Sequence, residues 1–255
     1  MNYITSSANP RIKTLSQLSK TRGRRQTGHI LIEGSREIEL AVRYGWELLE
    51  VYYCPDLYQG PLPTAPQSFN ISREALNKIT YKENPEGLLA VAKSKTITLA
   101  DLKLPKKPLI IVLENVEKPG NLGAILRTAY AAEVSAVIIN DQQTDLYNPN
   151  VIRASMGHIF SVPTVVANFE TTKDWLNEKK IKILATTIDA AIPYTTADLT
   201  KSVAIVFGTE NSGLSHRWRG SANQNIIIPM QKGIDSLNVS VSAAIVIYEA
   251  LRQRS

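Results

Sequence analysis

The chain has 255 residues, 44% hydrophobic and 20% charged, the composition of a folded globular protein of one or two domains rather than a disordered or fibrous one. A single cysteine, Cys54, excludes an intrachain disulfide framework, and three histidines (His29, His158 and His216) leave little from which to build a zinc site, so no metal is expected. No apolar run approaches the roughly 18–20 residues of a membrane helix, and the opening MNYITSSANPRIK lacks the apolar segment of a secretory signal; a cytoplasmic protein without membrane contact is the expectation.

The net charge of +6 is not spread along the chain. Residues 1–36 carry Arg11, Lys13, Lys20, Arg22, Arg24, Arg25 and Arg36 against Glu33 alone, and the rest of the chain balances to zero. A segment such as KTRGRRQTGH reads as a phosphate-binding arm, with Arg11, Lys20, Arg22, Arg24 and Arg25 as its candidate contacts.

In chain order, 29–33 (HILIE) predicts a strand, and Ser35 is placed as N-cap of a helix over 36–44 that Gly45 stops. Residues 48–54 predict a second strand. Four prolines and one glycine mark 55–68 as a loop. Ser72 caps a short helix to about 79, and 87–92 (GLLAVA) is another strand. The pattern gives a small α/β domain over 1–95, a linker over 96–107 and a second domain over 108–255. In the second domain strands are predicted at 109–113, 136–140, 162–167, 181–187, 203–207 and 225–228, with helices at 121–133, 149–158, 171–180 and 236–253. Short, continuously apolar strands alternating with helices predict a parallel sheet covered on both faces. Ligands of such sheets sit beyond the carboxyl ends of the strands.

Three stretches follow strands there. The first, from Asn115 to Arg127, contains Pro119-Gly120 as a turn, Asn121 as a candidate N-cap, and Gly123, which has no cap or turn role. The second, Gly208-Thr-Glu210-Asn-Ser-Gly213-Leu214, has the G-x-x-x-x-G spacing of a phosphate loop but leucine in place of the essential lysine, and it carries a carboxylate. It disfavours an ATPase, and the absence of G-x-G-x-x-G disfavours a dinucleotide dehydrogenase. The third runs from Ile228-Pro229-Met230 to Ser242, with Ser236, Asn238, Ser240 and Ser242 crowding a helix start beyond what capping needs. Taken singly, each stretch also reads as a turn or a capped surface helix. No nucleophile elbow is present, and Trp175 and Trp218 are expected to be packing residues.

Together and in this order, the three stretches resemble the three motifs of the SpoU (TrmH-like) family, RNA ribose 2′-O-methyltransferases of the SPOUT superfamily. The matching residues are Asn115, Pro119, Asn121, Gly123 and Arg127; Gly208, Glu210 and Gly213; and Ile228, Pro229, Met230, Ser236, Leu237, Asn238 and Ser240. The first domain is similar to a ribosomal-protein-like RNA-binding fold, with Glu33-Gly34 and Pro85-Glu86-Gly87 fitting that pattern. The resemblance implies a SPOUT domain with a deep trefoil knot, which periodicity alone does not suggest. It implies S-adenosylmethionine as cofactor, bound by Gly208, Ile228, Met230, Leu237 and Thr186, and a homodimer. It assigns catalysis to Arg127, Asn121, Glu210, Ser236 and Asn238. The substrate implied is RNA and not DNA, because only RNA has the 2′-hydroxyl, with ribosomal favoured over transfer RNA. A non-catalytic RNA-binding or ribosome-assembly factor on the same fold is the alternative from another class. A base methyltransferase is a third reading.

Overall fold

The computed structural model describes residues 2–190, 192–209, 213–234 and 236–255. They form two compact units. The first comprises residues 1–95 and 145–161, and the second 96–144 and 162–255. Residues 145–161 pack with the first unit.

The first unit contains β1 (Asn2–Ile4), α1 (Pro10–Leu18), α2 (Thr21–Thr27), β2 (His29–Glu33), α3 (Ser35–Arg43), β3 (Leu48–Tyr53), β4 (Gln67–Ile71), α4 (Arg73–Ile79), β5 (Leu88–Lys93) and α6 (Pro149–Ala154). Its mixed sheet has the order β1-β4-β3-β5-β2, parallel from β1 through β4 to β3 and antiparallel around β5. Ile12, Leu15, Leu18, Tyr52, Phe69, Ile71, Leu76 and Leu89 form its core. Each such side chain contributes about 1.5–3 kcal/mol by leaving water.

The sequence reading needs three corrections here. The basic segment read as an arm is folded into two helices, the first with Ile12, Leu15 and Leu18 buried at helical spacing. Gly23 lets α2 approach α1, since a Cβ there would lie 2.2 Å from the Gln17 carbonyl oxygen. Part of the expected 55–68 loop is strand: β4 starts at Gln67, its Phe69 and Ile71 buried at alternate positions. Ser35 is the first residue of α3 rather than its cap; Gly34, at φ +105°, holds the cap position, and Ser35 donates through its amide and hydroxyl to Glu86. Ser72 does cap α4, accepting from the Ala75 amide.

The second unit contains β6 (Leu109–Glu114), α5 (Pro119–Ala131), β7 (Ala136–Asn140), β8 (Thr164–Ala167), α7 (Phe169–Glu178), β9 (Lys182–Thr186), β10 (Ile192–Pro193), β11 (Val203–Phe207), α8 (His216–Ser221), β12 (Gln224–Ile227) and α9 (Val239–Arg254). Its seven strands form one all-parallel sheet in the order β10-β12-β9-β11-β6-β7-β8. Every residue of β6, β7 and β11 is buried, as strands covered on both faces require. Residues 96–107, expected as a linker, lie against this core through Ile97, Leu99, Leu102 and Leu104. A capping box between Thr98 and Asp101 fixes their single turn of helix. Trp218 is fully buried, its ring edge-on to Phe169 at 4.8 Å.

Two helix starts differ from expectation. Pro119 opens α5 two residues before Asn121, because a proline at the first position needs no amide partner, and Lys118 holds the cap position. α9 begins at Val239 with Asn238, not Ser236, as its N-cap.

Candidate active site

A cleft of about 290 Å³ opens beyond the carboxyl ends of β9, β11 and β12. Thr186 ends β9 at its wall, Gly208 follows β11, Ile228 and Met230 follow β12, and Ser236 and Leu237 precede α9. The five residues expected to hold a cofactor therefore line one cleft, although up to 51 positions separate them in sequence. Its lining is amphipathic: Ile228, Met230, Leu237 and Val239 share it with the hydroxyl residues Thr186, Thr187, Ser236 and Ser242.

Local chemistry shapes this cleft. The Thr186 hydroxyl donates to the Val206 carbonyl at 2.9 Å, tying the end of β9 to β11. After β11 the chain folds back so that the Gly213 amide donates to the Thr209 carbonyl at 3.0 Å. A Cβ on Gly208 would lie 2.2 Å from the Gly213 carbonyl carbon and oxygen, so this close return admits only glycine there. Gly213, at φ +64°, supplies the left-handed turn. At the rim Arg219 pairs with Asp189. Desolvation pushes the Asp189 carboxyl up, but the Arg219 hydrogen bond and charge outweigh it and hold the group below the usual carboxylate range.

The first and third motifs meet beside the cleft. Asn238 donates through Nδ2 to Asn121 Oδ1 at 3.2 Å. Its own Oδ1 accepts from the Ser240 amide at 2.9 Å and the Ser240 hydroxyl at 2.6 Å, so the capping side chain of α9 also reaches α5. The two helices pack together along their apolar faces. Arg127 is exposed on α5 and does not line the cleft. Glu210 lies outside the described residues.

Sequence reasoning missed the Asp189–Arg219 pair, whose members are 30 positions apart and share no pattern. It also missed Glu114, a buried carboxylate ending β6 that accepts from the Ser215 amide at 2.8 Å and anchors the start of α8. A lone carboxylate closing the run LIIVLE was the available signal.

The five basic candidates of the first unit divide in the structure. Lys20, Arg22 and Arg25 are exposed. Arg11 is bound to Glu50 at 2.8 Å and stands over the Phe69 ring. Arg24 corrects the sequence reading: it is only 5% exposed, its Nε and Nη2 bind Asp145 and its Nη1 binds the Leu18 carbonyl at 2.7 Å. It is a structural cation, withdrawn from any phosphate.

The profile of the SpoU rRNA methylase family matches residues 108–248, and that of an MRM3-like substrate-binding domain matches residues 9–90. Over its whole length the chain is similar to a crystal structure of an RNA 2′-O ribose methyltransferase, with 41% identity, 99% of each chain covered and a TM-score of 0.87. The SpoU methyltransferase AviRb of Streptomyces viridochromogenes, solved in complex with AdoMet, is 27% identical over 96% of this chain and 98% of its own, with a TM-score of 0.89. A 23S rRNA guanosine-2′-O-methyltransferase of Bacillus subtilis is 28% identical over 97% of this chain and 98% of its own. With more than half of its length matched by the family profile, and its second and third motifs lining one strand-end cleft, the chain belongs to the SpoU rRNA methylase family.

Proposed function

We propose that this protein transfers a methyl group from S-adenosylmethionine to a ribose 2′-hydroxyl of ribosomal RNA. The observation that carries the reading is the convergence of the second and third motifs on one amphipathic cleft, with the first motif joined to the third through Asn121 and Asn238. Relatives aligned over nearly the full chain are RNA 2′-O-methyltransferases, one acting on 23S rRNA, which supports ribosomal over transfer RNA.

The cleft suits the cofactor. Its apolar residues offer a surface for a purine, its hydroxyls offer partners for a ribose, and Gly208 and Gly213 bring no side chain to it. Gly208, Ile228, Met230, Leu237 and Thr186 are its proposed ligands. When bound, S-adenosylmethionine supplies an electrophilic methyl group on a sulfonium. The chain's task is to present the 2′-oxygen and stabilise the negative charge that grows on it as its proton passes to water. A guanidinium is a poor base, so Arg127 acts by electrostatic stabilisation and by holding the neighbouring phosphate. Asn121 and Asn238 position substrate as a linked pair, Ser236 adds a hydroxyl from the cleft side, and Glu210 orders the second motif.

The reading includes a homodimer. Tyr130 on α5 and Val241 and Tyr248 on α9 are 38%, 47% and 51% exposed, an apolar surface on the two helices that carry Asn121, Arg127 and Asn238. It includes the trefoil knot, formed by the loops around the cleft, and a cytoplasmic location. No helix among the described residues is long and apolar enough to cross a membrane.

Transfer of labelled methyl from S-adenosylmethionine to unmodified 23S rRNA, 16S rRNA and transfer RNA tests the reading, with Arg127→Ala as control. Label in ribosomal RNA that yields an alkali-resistant dinucleotide, and that is lost in the control, is expected. Label only in transfer RNA, or only on a base, would overturn the assignment.

A further inference from the structure

A second, smaller cleft lies wholly within the first unit. Its volume is about 170 Å³, and Ser16, Ser19, Lys78, Tyr81, Ile152 and Arg153 contribute to its lining. That is well below the 290 Å³ of the cofactor cleft, so it suits one planar group rather than a complete cofactor. Tyr81 is its distinctive element. The residue is 46% exposed, yet it is held at both ends: its amide donates to Glu33 at 2.8 Å, and its hydroxyl accepts from Asn150 Nδ2 at 2.5 Å. The Arg153 guanidinium stands over the ring, 5.9 Å from its centroid. An aromatic ring fixed at its backbone and its tip, and left open to solvent, has little rotamer freedom to lose when something stacks on it.

The surrounding charges favour a polyanion. Glu33 is the carboxylate in the lining, and it is engaged by the Thr80 hydroxyl and the amides of Tyr81 and Lys82. Lys82 is committed to Glu86 and Glu37. Lys78 and Arg153 have no ion-pair partner among the described residues. Lys20, exposed, follows Ser19 of the lining directly in the chain.

We propose that this cleft captures one unstacked base of single-stranded RNA on the Tyr81 ring, with Lys78 and Arg153 holding the flanking phosphates. Proteins that read RNA loops stack splayed bases on aromatic and guanidinium planes, and the proposal gives the first unit such a reading position. It rests on the RNA-methylating function proposed above and extends it by naming where a nucleotide other than the methylated one is recognised.

The test is filter binding of 23S rRNA to the full-length protein and its Tyr81→Ala and Tyr81→Phe variants, with S-adenosylmethionine affinity measured alongside. Tyr81→Ala is expected to weaken RNA binding by about tenfold or more, the effect of removing one base stack. Tyr81→Phe keeps the ring and is expected to stay close to wild type, with cofactor affinity unchanged in both. RNA affinity unaltered in Tyr81→Ala overturns the proposal. Should Tyr81→Ala also lose cofactor affinity, the paired variant Lys78→Gln/Arg153→Gln decides. The slope of log affinity against log salt is expected to fall by about two, and an unchanged slope overturns the proposal. A wild-type protein that binds RNA with the Tyr81 dependence but transfers no methyl would refute the enzymatic reading while the base site stands. Failure to bind RNA at all would refute both.

Discussion

Replacing Arg24 by glutamine is expected to destabilise the first unit while leaving the salt dependence of RNA binding intact. The guanidinium is 4% exposed and its Asp145 partner 15%. Arg24 donates from Nε and Nη2 to one Asp145 oxygen, at 3.1 and 2.9 Å, and from Nη1 to the last carbonyl of α1. Glutamine reaches neither set in full, so a nearly buried carboxylate and a helix-terminal carbonyl lose their donors together. Removing one member of a buried pair costs about 3–5 kcal/mol. The residual exposure of Asp145 lets water reach its charge and places the expected loss near the lower figure. At roughly 1–3 kcal/mol per molar urea, the midpoint falls by about 1–3 M.

Urea unfolding read by hydrogen exchange of peptides from β2 and β5 isolates the first unit from the second. Arg22→Gln and Arg25→Gln are the controls. Both residues are exposed, so stability is expected to stay within about 0.5 kcal/mol. Each is instead expected to lower the salt slope of RNA binding by about one. An Arg24→Gln protein that unfolds with the wild type, or that loses a unit of slope at unchanged stability, would refute the separation of structural from phosphate-facing cations. The double change Arg24→Met/Asp145→Leu, which removes both charges, is expected to recover much of the loss.

At Gly208, substitution by alanine drives a Cβ to 2.2 Å from the Gly213 backbone, so calorimetry is expected to find cofactor binding lost while the apolar core of β6, β7 and β11 still folds. Asn238→Ala removes the cap of α9 and the bond to Asn121; thermal melts are expected to show a loss of about 0.5–2 kcal/mol, and turnover to fall further than that loss explains. Burial and the Asp145 charge raise the Tyr147 phenol above its ordinary value of 10.0, and its hydroxyl donates to the Lys95 carbonyl. The unfolded chain therefore ionises first, so stability is full below about pH 10 and declines as pH rises beyond it, by up to about 1.4 kcal/mol per pH unit for this one proton. Tyr147→Phe, followed by urea melts across pH 8 to 12 (about the range that brackets the phenol), is expected to remove that share of the decline. Tyr248→Glu, on the exposed face of α9, is expected to yield a monomer by sedimentation that keeps cofactor affinity and loses methyl transfer.

The second unit was legible because its strands are apolar on both faces and its helices alternate with them, a pattern that depends on local sequence alone. The three motif segments were legible for a related reason, since each spends glycine, proline or asparagine where an ordinary helix or strand has no use for them. The order β12-β9-β11-β6 was not legible, because every strand is equally apolar and nothing local distinguishes its neighbours. The same limit hid the partnership of Asp189 with Arg219. Arg24 was misread because a cation in a run of cations looks solvated, and the aspartate that buries it lies 121 positions away. No composition shift sets residues 145–161 apart from their neighbours, and the family profile runs through them. Asn148 caps α6 and Gly157 turns at φ +82° as they would in any α/β unit, and only tertiary contact assigns them to the first.

The position of Arg127 separates binding from catalysis. On a helix that turns about 100° per residue, six residues carry it about 120° around the axis from Asn121 and about 9 Å along it. Asn121 faces Asn238 and the start of α9; Arg127 is exposed, with no hydrogen bond or ion pair to the described residues. A guanidinium so exposed is hydrated, and its interaction with a growing oxyanion in water is weak, because the effective dielectric there is close to that of bulk solvent. The cleft, by contrast, is lined by residues around β9, β11, β12 and α9 of a single chain. On the proposed dimer, contact through the exposed faces of α5 and α9 removes water from around Arg127 and strengthens its hold on both the phosphate and the 2′-oxygen. The cofactor site would then be a property of the monomer and the electrostatic part of methyl transfer a property of the pair. That is why a surface variant on α9 is expected to abolish turnover without touching cofactor affinity.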